Sequence, residues 1–352
     1  MEIEEDFIKD LVIKTVENNE FNVLKLISLS LKNKNIQDYK TQSIINFSIE
    51  NKIEHIYKII NDDEKIRVLL CCNWCSSKDL CELWNKMSKG DYEWNNIKIV
   101  WNEPYDYVCI INKPQDNLNI DLSKSILFRM EPNMENKNMW GEEWSNPKKE
   151  NFLFCGYHNL YLNNVEWHLS KTYVQLLNDE IRKNEEVCNV LSSVLSDKYN
   201  DPGHIKRIDF MKFLETKGVN IHIFGGNRFL WKEYKGSLPY HQKDDALLPY
   251  KYTFNCENFS IKNYCTEKLY DAILSECLVF YNGCYNIRDY IDNKAFVYLE
   301  LSNFEKDYET IKRAIEENWW EQRLPYIKEA KKKILNEMQF FPRIEKIIND
   351  KN

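Results

Sequence analysis

Residues Tyr250 to Gly283 read YKYTFNCENFSIKNYCTEKLYDAILSECLVFYNG, and this stretch decides the fold. Tyr252–Cys256 is a strand candidate that ends at Glu257-Asn258. A polar loop follows, and a helix opens near Thr266-Glu267-Lys268 with Thr266 as its cap. The next apolar run, Leu278–Tyr281, is a second strand. A helix start offers free N–H groups and partial positive charge, which suits a phosphate. Lys268 in that first turn opposes the macrodipole, so it either meets an anion or pairs with Glu267 or a nearby carboxylate.

Working outward, the alternation continues. Strand candidates in the second half are Val187–Leu195, Asn220–Phe224 and Phe296–Leu299, with helices at His204–Thr216, Thr266–Glu276, Phe304–Glu317 and Ile327–Met338. In the first half, strands are expected at Ile66–Cys72, Ile97–Trp101, Tyr107–Ile111, Ser125–Phe128 and Phe152–Cys155, and helices around Lys78–Met87 and Ser170–Arg182. Alternating strands and helices give an α/β layer fold with two open parallel sheets, and such sheets bind ligands beyond the carboxyl ends of their strands. The expected domains are 1–64, 65–182 and 183–352. Residues 1–64 read as helical. Positions 33 apart pair Leu11 with Ile44, Val16 with Ile49 and Leu26 with Ile59, which is the ankyrin period. The segment is either a helical bundle or an ankyrin-like pair, with protein binding as one use. Trp319-Trp320 and the segment to Ile348 are read as closing helices, with Lys331-Lys332-Lys333 as a solvated face.

The chain has 352 residues and a formal net charge of −7, with 43% hydrophobic, 14% aromatic and 29% charged residues. This composition is globular, and the negative balance opposes broad nucleic-acid binding. The start, MEIEEDFIKD, lacks a signal-peptide pattern, and no run reaches the ~18 apolar residues of a membrane span. A soluble, cytoplasmic protein is expected. The 11 cysteines read as buried thiols in a reducing compartment. Cys72-Asn-Trp-Cys75 has no second metal-binding pair after it, so no metal is expected there. Asp62-Asp63 and Asp244-Asp245 read as solvated loop charges, and the six histidines show no metal or catalytic spacing.

The quoted stretch resembles the signature of the family 10 α-1,3-fucosyltransferases. There a Tyr-Lys-Phe strand leads to Phe-Glu-Asn and then to Tyr-x-Thr-Glu-Lys. Here Tyr250-Lys251-Tyr252 leads to Cys256-Glu257-Asn258 and then to Tyr264-Cys265-Thr266-Glu267-Lys268. Tyr234-Lys235-Gly236 with Lys243 is similar to the family's lead-in, and weaker similarity runs from about Lys65 onward. Cys256, Asn282 and Tyr285 depart from the family pattern, at positions bearing on the sugar and the nucleotide pocket.

The resemblance implies a GT-B glycosyltransferase: two Rossmann-like α/β domains facing across a cleft, here preceded by the helical segment. It implies inverting transfer of fucose from GDP-fucose to a glycan hydroxyl in α-1,3 linkage, with no cofactor and no obligatory metal. The expected partners are a nucleotide sugar and a glycan, with no nucleic acid and no membrane span. A bacterial or virus-infected host cytoplasm is the expected setting. Lys268 and Arg207 would neutralise the departing diphosphate, since arginine grips two oxygens at once. Asn258, Tyr264 and Glu267 would line the donor pocket, Glu267 accepting from ribose hydroxyls. Glu131, at the end of Ser125–Phe128, would be the base that takes the acceptor's proton, with Glu135 in reserve and Glu142 or Glu143 behind it. Two alternatives stand beside this reading: the same fold using another nucleotide sugar, and a non-catalytic scaffold acting through the helical N-terminus.

Overall fold

The computed structural model describes residues 65–115, 118–132, 140–156 and 161–350. The readings of residues 1–64 and Glu135 lie outside them. The chain divides into two compact units, Met1–Ile66 and Arg67–Asn352. The second unit carries two sheets.

Its first sheet contains β1 (Ile66–Cys72), β2 (Glu93–Trp94), β3 (Ile97–Val100), β4 (Tyr107–Ile111), β5 (Ser125–Phe128) and β6 (Phe154–Gly156), in the order β2-β3-β1-β4-β5-β6. β1, β4, β5 and β6 are parallel, and β2–β3 is an antiparallel edge hairpin. The central strands are continuous apolar runs because both faces are covered. Leu69, Cys71, Val108, Ile110 and Leu127 meet in one buried cluster.

The second sheet contains β7 (Leu191–Leu195), β8 (Ile221–Gly225), β9 (Tyr234–Gly236), β10 (Tyr252–Cys256), β11 (Leu278–Asn282) and β12 (Phe296–Tyr298). Its order is β12-β11-β10-β7-β8-β9, with every pair parallel. Strand succession runs outward in both directions from the β7–β10 pair. A doubly wound sheet of this kind opens a crevice where the succession reverses, so β7 and β10 locate the site.

The helices, in chain order, are α1 (Ser77–Trp84), α2 (Glu142–Ser145), α3 (Tyr173–Asn178), α4 (Pro202–Thr216), α5 (Asp244–Leu247), α6 (Glu267–Leu274), α7 (Phe304–Glu316), α8 (Trp319–Lys333) and α9 (Phe340–Asn349). α4 follows β7 and α6 follows β10, so both start at the crevice. α9 returns to the first sheet's side of the unit: Phe340 packs on Trp84 at 4.8 Å between ring centroids, and Glu345 accepts from the Trp94 indole. None of the helices is long and apolar enough to cross a membrane, among the described residues.

Several sequence readings shift. The strand expected from Val187 starts at Leu191, because Val187 and Cys188 donate back to Asn184 in a turn. The helix expected over Ser170–Arg182 shortens to α3, fixed by a Thr172/Gln175 capping box. The last long helix starts at Trp319 and passes into a π-turn at Ile334–Met338. Lys331 is no part of a solvated face: it is 6% exposed and donates to Glu276 at 2.8 Å. Asp244 also has a fixed role, accepting from the Ser170 N–H and hydroxyl at 2.8 and 2.9 Å.

Gly203, in the first turn of α4, is where close approach demands glycine. Its N–H donates to the Asn258 carbonyl at 2.9 Å, and a Cβ there would lie 1.8 Å from the Glu257 carbonyl oxygen. Backbone sits on the other side, so relief requires moving the helix. Gly203→Ala is expected to destabilise the fold by about 2–3 kcal/mol, read as a lowered thermal midpoint. An unchanged midpoint would show that the α4–Asn258 contact yields freely.

Candidate functional site

A cavity of about 460 Å³ opens at the carboxyl ends of β7, β8 and β10. Of the residues singled out from sequence, Arg207, Asn258, Glu267 and Lys268 line it. Lys198, Lys243, Asp271, His168, His204 and His241 join them, and burial lowers the pKa of His204 and His241. Lys198, Lys243, Arg207 and Lys268 thus face the carboxylates of Glu267 and Asp271 and leave the wall modestly positive although the chain is acidic.

Lys268 is brought there by the local sequence. Thr266 caps α6, its hydroxyl accepting from the Lys268 N–H at 3.4 Å. Asn255 at the end of β10 donates to the Lys268 carbonyl at 2.7 Å. Glu257 is 1% exposed and accepts from the Thr266 N–H, the Thr266 hydroxyl and the Tyr281 hydroxyl at 2.8, 2.6 and 3.2 Å. This buried carboxylate ties the strand end to the helix start, which explains the spacing between Glu257 and Thr266. The Lys268 ammonium lies 3.6 Å from Glu257 and 3.3 Å from Glu267. Burial alone would lower its pKa, but Glu267 and Glu257 outweigh burial and hold it above the ordinary lysine value. Lys268 is therefore a fixed cation. Glu267 is its counterpart: burial pushes the carboxyl up, while Lys243, Lys268 and His168 pull it well below the usual range. Glu267 is a permanent acceptor.

Arg207 reaches the cavity from α4 and is 4% exposed. Its guanidinium donates to Ser196 Oγ at 2.7 Å, Asn258 Oδ1 at 3.3 Å and the Cys256 carbonyl at 3.5 Å, while buried Nε finds no partner. All three acceptors are neutral. Asp209, two residues on in the same helix, instead accepts from Tyr199 at 2.7 Å. A desolvated guanidinium held by neutral oxygens favours an arriving anion, because burying an unmatched charge is costly. Burial lowers its pKa, partly offset by Cys256, Glu257 and Glu267.

Tyr264 and Glu131 stand apart from the cavity lining. Tyr264 is 2% exposed, and its hydroxyl is pushed well above the ordinary range by burial and then by the charges of Glu257, Glu131 and Glu267. It is a neutral phenol. Glu131 is exposed beyond the end of β5. Its backbone neighbourhood is clipped to Tyr264's: Asn163 donates to the Met130 carbonyl at 2.7 Å and accepts from the Cys265 N–H at 3.1 Å. The first sheet thus delivers a carboxylate into the electrostatic reach of Tyr264.

Sequence reasoning gave no site role to Asp271, Ser196 or the histidines, and it noted Lys243 only as part of the family-like lead-in. Lys243 pairs with Glu267 at 3.0 Å and Asp271 at 2.8 Å, so it orients Glu267. Only its place before α5 hinted at this. The departures Cys256 and Asn282 are 2% and 4% exposed and face each other at 3.6 Å. Neither they nor exposed Tyr285 lines the cavity.

Residues 159–316 match the family model for glycosyltransferase family 10 (fucosyltransferase), C-terminal part. The match marks a family 10 glycosyltransferase domain over that span, somewhat under half of the chain. The matched span includes Arg207, Asn258, Tyr264, Glu267 and Lys268. A solved alpha-glucosyltransferase in complex with UDP and a 13-mer DNA containing a HMU base is similar at 9% identity, over 82% of this chain and all of that one, with a TM-score of 0.51. A solved alpha1,3-fucosyltransferase with GDP is 18% identical over 77% of this chain and 90% of that one, at a TM-score of 0.43. No curated protein matches the chain. The chain's fold, with two sheets built around parallel strands and only the second inside the matched span, is of the GT-B type.

Proposed function

We propose that this glycosyltransferase transfers fucose from GDP-fucose to a glycan hydroxyl with inversion, forming an α-1,3 linkage. The observation that carries the reading is the convergence of Arg207 and Lys268. They come from the helices after β7 and β10, and they line one cavity with Asn258 and Glu267. Two cations at the topological switch point suit a diphosphate.

The donor's diphosphate lies between Lys268 and Arg207. Glu267, held ionised by Lys243, accepts from ribose hydroxyls. Asn258 shares the Arg207 fork and supports the pocket, and Tyr264 packs behind it as a neutral donor. Glu131 takes the acceptor hydroxyl's proton as that oxygen attacks the anomeric carbon opposite the leaving group. The bond from that carbon to the phosphate oxygen breaks, and GDP departs with its new negative charge facing the two cations. On this reading the step requires no metal at the diphosphate, and turnover persists in chelator.

The test is a comparison of GDP-fucose, GDP-mannose and UDP sugars by thermal shift, followed by mass spectrometry of products on a glycan panel. GDP-fucose is expected to give the largest shift and a product heavier by one fucosyl residue. A larger shift and a product from another donor would overturn the sugar assignment. No nucleotide binding at all would favour a scaffold.

A further inference from the structure

We propose that Glu166, His168 and His241 form a binding site for a divalent first-row transition-metal ion, a use that goes beyond the glycosyl transfer proposed above. One carboxylate oxygen and one nitrogen from each ring lie within 4.8 Å of one another. His241 is 9% exposed, and its Nδ1 has no hydrogen-bond partner. His168 Nε2 is also buried and unpartnered, 3.3 Å from Glu166 Oε1. The two imidazoles are in contact, with ring centroids 3.7 Å apart. Two desolvated ring nitrogens directed into a space shared with a carboxylate oxygen make a ligand set.

The surroundings hold these groups as a metal site requires. The other Glu166 oxygen accepts from the Trp84 indole N–H at 3.1 Å, leaving Oε1 to face His168. The His168 backbone N–H donates to Asp271 at 2.6 Å, and its carbonyl accepts from the Lys243 N–H at 2.9 Å. On the far side of the ring, His168 Nδ1 lies 3.9 Å from Glu267. At that distance there is no hydrogen bond to fix the tautomer, and Glu267 acts on the ring only as a nearby negative charge. Lys86 and Lys243 also act on His241. Lys243 is paired with Glu267 and Asp271, and Lys86 donates to the Leu169 carbonyl. Counting Lys268, which also pairs with Glu267, the three carboxylates Glu166, Glu267 and Asp271 offset the three ammonium groups, so no net positive charge opposes a cation.

Two imidazoles and a carboxylate suit zinc and its neighbours, whereas magnesium and calcium take oxygen ligands. The ion would join residues 166 and 168 to 241, two segments remote in sequence, so binding should stabilise the fold by mass action.

Chelator-treated full chain is titrated with zinc alone by calorimetry, with cobalt as a spectroscopic probe and thermal midpoints measured in parallel. One equivalent of zinc is expected, with a raised midpoint. His241→Gln and Glu166→Gln are each expected to weaken binding at least about a hundredfold, beyond the range lost with outer-shell partners, and to abolish the midpoint shift. Metal-free melts report whether each variant is folded, and two variants on separate segments guard against one failing. X-ray absorption should show nitrogen and oxygen ligands only. Cys72 and Cys75, whose sulfurs are 3.5 Å apart, offer the competing site, so Cys75→Ser should leave binding intact. Absence of binding below about 100 μM, weaker than about 5.5 kcal/mol, would overturn the proposal. So would unchanged binding in both ligand variants, or binding that disappears with Cys75→Ser.

Discussion

Glu131→Gln is expected to reduce turnover by about 10²–10⁴-fold, the range a positioned general base contributes, while leaving affinity for GDP within about twofold. That loss corresponds to about 3–5.5 kcal/mol of barrier. The substitution keeps shape but replaces an anionic acceptor by a neutral amide that cannot take a proton. Glu131 is exposed and lies outside the lining of the cavity that holds Arg207 and Lys268, so donor binding does not depend on it directly. The Met130–Asn163–Cys265 clip holds the adjoining backbone through Met130, and a thermal melt of the variant reports whether the fold tolerates the change. Steady-state kinetics with GDP-fucose and an accepted glycan, together with calorimetric GDP binding, separate the two effects. Turnover above one tenth of the wild-type value would move the base elsewhere, with Glu135 as the next carboxylate to replace and Glu142 or Glu143 after it.

The parts of the site that were legible in sequence are those built from contiguous chain. The strand ending at Cys256, the cap at Thr266 and the helix starting at Glu267 follow from local pattern, and Lys268 is placed by them. Arg207 differs: local pattern places it in a helix opened by Pro202-Gly203, and only the resemblance to family 10 pointed it at a phosphate. What could not be read is convergence. His168 and His241 meet only because one segment leads into α3 and the other into α5, and neither has a neighbour in sequence that marks it. Lys331 shows the limit in another way. Three consecutive lysines look solvated, but helical rotation turns one of them inward, where Glu276 awaits it. The short strands β2 and β9 escaped because two or three residues carry no period.

Lys268→Ala and Arg207→Lys should both weaken GDP and GDP-fucose binding, and the pattern across ligands distinguishes their role. Removing one partner of a desolvated, hydrogen-bonded charge pair costs about 2–5 kcal/mol, so Lys268→Ala is expected to weaken GDP binding by about thirtyfold to several thousandfold. Arg207→Lys keeps a positive charge but loses the fork, and a smaller loss of about tenfold follows from replacing bidentate contact with a point charge. Guanosine, which has no phosphate, should bind the two variants and the wild type equally. A merely structural role would weaken all three ligands together. Lys268→Ala also removes a cation 3.6 Å from Glu257, which is buried but retains its bonds to Thr266 and Tyr281. A modest fall in thermal midpoint is therefore expected alongside the affinity loss, and binding is measured well below it. If GDP affinity stays within threefold of wild type in both folded variants, the diphosphate does not sit between these cations. The cavity at the β7–β10 switch point would then need a different anion or none.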